Sequence, residues 1–194
     1  MDINKILSEV QDKRDERNTT SLKMKEDLIN FFSPLNLNNC IEVGTSNGNT
    51  TRILSYLFDN VTTIELQISE INKAQKLNND RTNIEYLHGD AYKSDWGLDK
   101  KYDVAFIDAN HFYDFVKQDY ENCSALGVKY FVFDDYGLAY NASPCVKPFI
   151  DDMVSDGTLE IVKFIGEPAG TQLWKKYNRE DALVDWEGVI TVEK

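Results

Sequence analysis

The chain has 194 residues, with 21 Lys and Arg against 33 Asp and Glu, a net charge of −12. That is enough chain for one domain with a sizeable core and no covalent staples. The acidic balance disfavours nucleic acid and anionic membrane surfaces, which are bound through clustered Lys and Arg. No apolar run approaches the roughly 18 residues of a membrane span, and the charged first 17 residues do not read as a signal peptide. Cys40, Cys123 and Cys145 form no CxxC or Cys/His cluster. They read as small apolar residues of a reduced, cytoplasmic protein.

In chain order, residues 1–18 read as a short peripheral helix followed by a charge run, and Thr19–Phe32 as a helix closed by Ser33-Pro34. Strands and helices then alternate. Strands are expected at Cys40–Val43, Val61–Leu66, Ile84–Leu87, Tyr102–Ile107 and Tyr130–Phe133. Helices are expected at Thr50–Phe58, Ser69–Leu77, Tyr113–Ala125 and Cys145–Val154. Two last strands, Leu159–Phe164 and Thr171–Tyr177, flank the turn Gly166-Glu167-Pro168-Ala169-Gly170. This alternation predicts an α/β, Rossmann-like, doubly wound fold. Its seven-stranded sheet is mostly parallel, with a final antiparallel strand and helices on both faces. The chain divides into an N-terminal helical segment (1–32), a main domain (33–178) and an acidic tail (179–194) that carries Trp186.

In such a sheet, ligands bind beyond the carboxyl ends of the strands. The first strand runs into Glu42-Val43-Gly44-Thr45-Ser46-Asn47-Gly48-Asn49-Thr50. Gly44 permits a sharp turn, Gly48 a close backbone approach, and Asn49 or Thr50 a helix cap. The spacing is GxxxG, without the middle glycine of the dinucleotide fingerprint. Glu42 would repel a pyrophosphate and suit an ammonium group. Glu65 ends the second strand about twenty positions after Gly44, where an acid can hold ribose hydroxyls. Gly89-Asp90-Ala91 follows the third strand; the His88 before it reads as structural. Asp108 closes the fourth strand, and Asp134-Asp135 the fifth. Three carboxylates on two neighbouring strand ends repel one another unless a cation joins them. Their hard oxygens suit magnesium, calcium or manganese.

The glycine loop, Glu65 and Gly89-Asp90-Ala91 resemble, in order and spacing, the donor-binding motifs of class I S-adenosylmethionine-dependent methyltransferases. Ile107-Asp108-Ala109-Asn110-His111-Phe112-Tyr113 together with Asp134-Asp135 resembles the metal-dependent O-methyltransferase branch that includes macrolide-sugar and cephamycin-type enzymes. The resemblance implies S-adenosylmethionine held by Glu42, Gly44, Thr45, Gly48, Thr50, Glu65, Asp90, Ala91 and Asp108. It implies a divalent metal, Mg2+, on Asp108, Asp134 and Asp135, with His111 as general base beside Asp108. The implied acceptor is a hydroxyl of a small molecule, in a protein that can form a homodimer; by their position alone, Tyr113, Tyr136 and Tyr140 are expected to line the acceptor side. The rival readings are a metal-independent methyltransferase, a donor-binding module without catalysis, and an NAD-dependent oxidoreductase.

Overall fold

The computed structural model describes residues 2–10, 20–93, 96–138, 146–171 and 183–194. Two helices, α1 (Ile3–Ser8) and α2 (Leu22–Phe32), precede the first strand. The alternating unit follows as β1 (Asn39–Val43), α3 (Asn49–Leu57), β2 (Asn60–Glu65), α4 (Ile68–Leu77), β3 (Ile84–His88), β4 (Val104–Ile107), α5 (Tyr113–Ala125), β5 (Tyr130–Phe133), α6 (Val146–Ser155), β6 (Leu159–Ile165) and β7 (Gly188–Glu193). The expected boundaries up to β6 agree to within a few residues.

The seven strands form one sheet in the order β3-β2-β1-β4-β5-β7-β6. β1 to β5 pair in parallel, and β7 runs antiparallel to both β5 and β6. The antiparallel strand is therefore not where the Gly/Pro turn pointed. It is Gly188–Glu193, inside the segment read as a tail, and it lies between β5 and β6 rather than at an edge. Val189, Ile190 and Thr191 are fully buried, which is the continuous apolar run of a strand covered on both faces. The expected strand at Thr171–Tyr177 falls outside the described residues from 172 onward.

Alternation along each strand divides the core between the two faces. Ile41 and Val43 pack with Val116, Tyr120, Phe149 and Ile150 of α5 and α6. Cys40 faces the other way, toward Met24, Leu28 and Phe32 of α2 and Leu54 of α3. Cys40 and Cys123 are free and buried, as read from the sequence; Cys145 lies outside the described residues. No helix among the described residues is long and apolar enough to cross a membrane.

Register fixes the site. Val43 lies opposite both Ile64 and Ile107, Ile107 opposite Phe133, and Glu65 opposite His88. The residues that follow these strand ends reach one edge of the sheet together. The chain crosses from one side of β1 to the other between β3 and β4, so the switch point falls between β1 and β4.

Candidate active site

A cavity of about 350 Å3 opens at that switch point. Gly44, Ser46, Glu65, Asp90, Ala91, Asp108, Phe115 and Asp119 are among the residues that line it. A small polar recess adjoins it, bounded by Thr20, Thr45, Asn47, Asn49 and Thr50 and sharing Gly44, Ser46 and Asp108 with the main cavity. Four strand ends thus bring Gly44, Glu65, Asp90 and Asp108 to one cleft, as the spacing predicted.

Gly44 sits at φ +97°, and a Cβ there would come within 2.2 Å of the Asp108 carbonyl oxygen. Only glycine lets β1 turn this close to β4. Gly48 has a different reason from the one expected. Its φ is +80°, and a Cβ would meet Ala74 of α4 at 2.7 Å. It lines neither cavity and serves the packing of α3 on α4. It is also the N-cap of α3, with no side-chain cap bond, so neither Asn49 nor Thr50 caps the helix. The Thr50 hydroxyl instead pairs with that of Thr20 at 2.7 Å.

Glu42 also differs from its expected place. It is fully buried and lines neither cavity. Thr51 and Thr63 donate to its Oε2 at 2.6 Å each, and Thr45 pairs with Thr63 at 2.5 Å. Oε1 has no hydrogen-bond partner among the described residues. Burial pushes the carboxyl up to about 8; the two threonine hydroxyls pull it down, and Asp108 and Glu65 repel it. Glu42 anchors the glycine loop from below.

Glu65 and Asp90 are held ready by the backbone. Ser46 and Gln67 donate their amides to the two oxygens of Glu65, each at 2.9 Å. Tyr92 donates its amide to Asp90 at 3.1 Å. Beside them, the rings of Tyr92 and Phe115 lie 4.3 Å apart and form an apolar wall. His88 bonds the Leu66 carbonyl at 3.0 Å, the structural part expected of it.

Across the switch point, the acids face one another. Asp108, His111 and Asp135 lie within 4.8 Å of one another. His111 Nδ1 is 2.9 Å from Asp135, and its Nε2 is 3.5 Å from Asp108. Burial alone would lower the imidazole pKa, but the two carboxylates outweigh it and hold His111 well above its ordinary range. Asp135 adopts φ +55°, the left-handed region that Asp enters more readily than most side chains. Asp134 is outside the tight cluster, where His111 takes its expected place. It is buried, and its Oδ1 has no partner among the described residues. Burial first, then repulsion from Asp108, Asp135 and Glu187, pushes it well up.

The tyrosines expected at the acceptor side are engaged elsewhere. Tyr113 bonds Asp152 of α6, and Tyr136 is buried with Lys147 and Asp151 around its hydroxyl. Neither lines a described cavity, and Tyr140 lies outside the described residues. Several residues of the cleft were missed: Ser46 and Gln67, which act through backbone amides, Thr20 from the N-terminal segment, and Asp119. The last carried a signal, because it sits with Val116, Tyr120 and Cys123 in the apolar stripe of α5.

Residues 41–136 match the family model of a methyltransferase domain. No curated protein matches the chain. Among solved structures, a candidate caffeoyl-CoA O-methyltransferase from Staphylococcus aureus superposes with a TM-score of 0.69 at 18% identity, over 100% of this chain and 93% of that one. The N-methyltransferase NodS from Bradyrhizobium japonicum, in complex with S-adenosylhomocysteine, gives 0.68 at 15% identity, over 98% and 96%. A candidate O-methyltransferase from Klebsiella pneumoniae gives 0.67 at 15% identity, over 99% and 89%. Neighbours that methylate nitrogen and oxygen share the architecture, so the fold does not choose the acceptor atom. The chain is thus similar to a methyltransferase domain over residues 41–136, and it has the fold that these methyltransferase structures share.

Proposed function

We propose that this protein is an S-adenosylmethionine-dependent O-methyltransferase that uses a divalent metal, Mg2+, and acts on a hydroxyl of a small molecule in the cytoplasm. The observation that carries the metal is the stranded carboxylate of Asp134, buried beside Asp108 and Asp135 with one oxygen unpartnered. Such a group asks for a cation, and three carboxylates are the oxygen donor set that Mg2+ takes. Asp108, Asp134 and Asp135 would hold it. The bound ion supplies Lewis acidity and orientation to the acceptor hydroxyl.

The chain's own groups do the rest. Glu65 accepts from the ribose hydroxyls, and Asp90 from the adenine amino group, with the Ala91 amide donating to a ring nitrogen. The polar recess at Thr20, Thr45 and Asn49 suits the amino-acid end of the donor. Holding donor and acceptor in line supplies proximity and orientation. The acceptor oxygen attacks the methyl carbon as the carbon–sulfur bond breaks, and sulfur keeps the electron pair. The hydroxyl proton would pass to an imidazole nitrogen of His111, which Asp108 and Asp135 hold in place. The products are the methyl ether, S-adenosylhomocysteine and a proton.

One observation favours a second reading, a methyltransferase without metal. The His111 ring already lies between Asp108 and Asp135, with Nδ1 2.9 Å from Asp135 and Nε2 3.5 Å from Asp108, so the chain itself supplies a partner to these carboxylates. Calorimetric titration of chelator-treated protein with S-adenosylhomocysteine and then Mg2+, on wild type and Asp134→Ala, separates the two. Donor binding with a Mg2+ site that disappears in Asp134→Ala supports the metal-dependent enzyme. Donor binding without a Mg2+ site selects the second reading. No donor binding removes both.

A further inference from the structure

Asp119 has no part in the chemistry above, yet its position is unusual. It sits on α5, one turn after Phe115, and lines the main cavity beside Asp90, Ala91 and Tyr92. It is only 2% exposed. No hydrogen bond or ion pair reaches its carboxyl from the described residues. A buried carboxylate without a partner is costly, and packing alone would select an apolar residue in this stripe. The group has kept its polarity where it lines a cavity, a position from which a bound ligand can partner it.

The end of the cavity it faces is the one assigned to the nucleobase. Asp90 offers an acceptor, which suits the exocyclic amino group of adenine. An adenine ring also presents nitrogen lone pairs, and these need donors. Ala91 has one amide. Its carbonyl is already taken by Trp96 and Asn122, which fixes the segment. A carboxylic acid in its neutral form carries an O–H donor. Burial, and then the negative charge of Asp90, raise Asp119 to about 7, so much of it carries that proton near neutrality. The other titratable groups around it are Tyr92 from the same segment, Glu65 ending β2, Asp108 after β4 and Cys123 one turn along α5. None is a cation that could hold it ionised.

We propose that Asp119 is a donor-binding residue, its neutral carboxyl giving a hydrogen bond to a ring nitrogen of the donor's purine while Asp90 accepts from the amino group. This rests on the reading of the cleft as an S-adenosylmethionine site and adds a residue that the glycine loop and the strand-end motifs do not contain. Together the two acids read a donor edge and an acceptor edge side by side, a pattern that adenine presents and a deaminated purine reverses.

The test is calorimetric titration of the full chain with S-adenosylhomocysteine, in chelator and without added metal, at pH 6 and pH 8. It uses wild type, Asp119→Asn and Asp119→Leu. A group titrating near 7 that must be protonated to bind weakens wild-type affinity by about tenfold over that range. Asp119→Asn keeps an N–H donor at every pH, so its affinity at pH 6 stays within about threefold of wild type and most of the pH dependence is lost. Asp119→Leu binds about tenfold more weakly than wild type at pH 6. Titration of the ligand's own amino group is common to all three proteins and cancels in their ratio. The proposal is overturned if Asp119→Asn keeps the wild-type slope, or if Asp119→Leu binds as wild type does at both pH values. Should the leucine variant fail to fold, the wild-type and asparagine slopes decide alone. Wild type that binds no S-adenosylhomocysteine at either pH overturns the donor site itself, a failure distinct from that of Asp119.

Discussion

The carboxyl edge of the sheet has two halves that meet between β1 and β4, and they treat their acids differently. On the β1–β2–β3 side, the acids of the cleft wall are held by backbone donors: Glu65 by the amides of Ser46 and Gln67, Asp90 by that of Tyr92. On the β4–β5 side, Asp108, Asp134 and Asp135 crowd one another, with His111 wedged between two of them and Asp134 left with an unpartnered oxygen. The first half is finished before any ligand arrives and needs only neutral hydroxyls and a base to complete it. In the second half, burial and mutual repulsion raise Asp134 and Asp108 above the ordinary carboxylate range, the kind of perturbation that marks a candidate reactive site. On the function proposed above, the ordered half would dock the donor and the crowded half would carry the reaction, with the two joined at Gly44.

The largest effect is expected at the joint. Gly44→Ala places a Cβ 2.2 Å from the Asp108 carbonyl at a φ of +97°. Either the loop or β4 must move, at a cost of about 4 kcal/mol or more. Chemical denaturation measures it, and a wild-type midpoint would show that the two halves are not tightly abutted. Glu42 comes next, as the donor-side acid that is only half-partnered. Its folded value of about 8 lies above its ordinary 4.5, so the native state takes up a proton as pH falls through that window. Stability therefore drops as pH rises from about 5 to about 8, by on the order of 3 kcal/mol from this group, and the drop is absent below its unfolded value. Glu42→Gln should flatten that slope. An unchanged slope would mean that the carboxyl is not sealed under the loop. On the reactive side, Asp135→Ala removes the partner of His111 and a proposed metal ligand. Transfer to a hydroxylated acceptor should fall at least about a hundredfold while S-adenosylhomocysteine affinity stays within about threefold of wild type. Loss of donor binding in that variant would break the division between the halves.

The same division explains what could be read from the sequence. Glu65 ends its strand, and Gly44, Asp90 and Asp108 each follow theirs by one or two residues; a parallel sheet brings such positions to one edge whatever the side chains do. Their meeting was legible for that reason. What depends on three-dimensional packing was not. Glu42 points into the core because Thr51 and Thr63 wait there, and the exchange of His111 for Asp134 within the acid cluster is a matter of side-chain direction at the ends of β4 and β5. Strand β7 was misplaced because Pro168 and its flanking glycines marked a turn, while Val189-Ile190-Thr191-Val192 lay among acids and read as tail. Its run of apolar and β-branched residues was the better signal, since a strand buried on both faces shows no alternation. Asp119 was visible as an acid in an apolar stripe, but on a chain with 33 acidic residues it drew no notice.

The finest test of the comparison is Glu65→Gln. The wild-type carboxylate gives one oxygen to the Ser46 amide and one to the Gln67 amide, and each oxygen keeps a lone pair for a ribose hydroxyl. Glutamine offers a single oxygen. Its NH2 group must then face an amide N–H or a hydroxyl proton, and a charge-assisted bond is lost in either case. S-adenosylhomocysteine affinity should fall about tenfold, or 1.4 kcal/mol. Mg2+ affinity, measured on the same protein without donor, should stay within about twofold of wild type, because among the described residues no hydrogen bond or ion pair joins Glu65 to Asp108, Asp134 or Asp135. If Mg2+ affinity fell in step with donor affinity, the glycine loop would be transmitting strain through Gly44 to the Asp108 carbonyl it touches, and the edge would have to be treated as one coupled site.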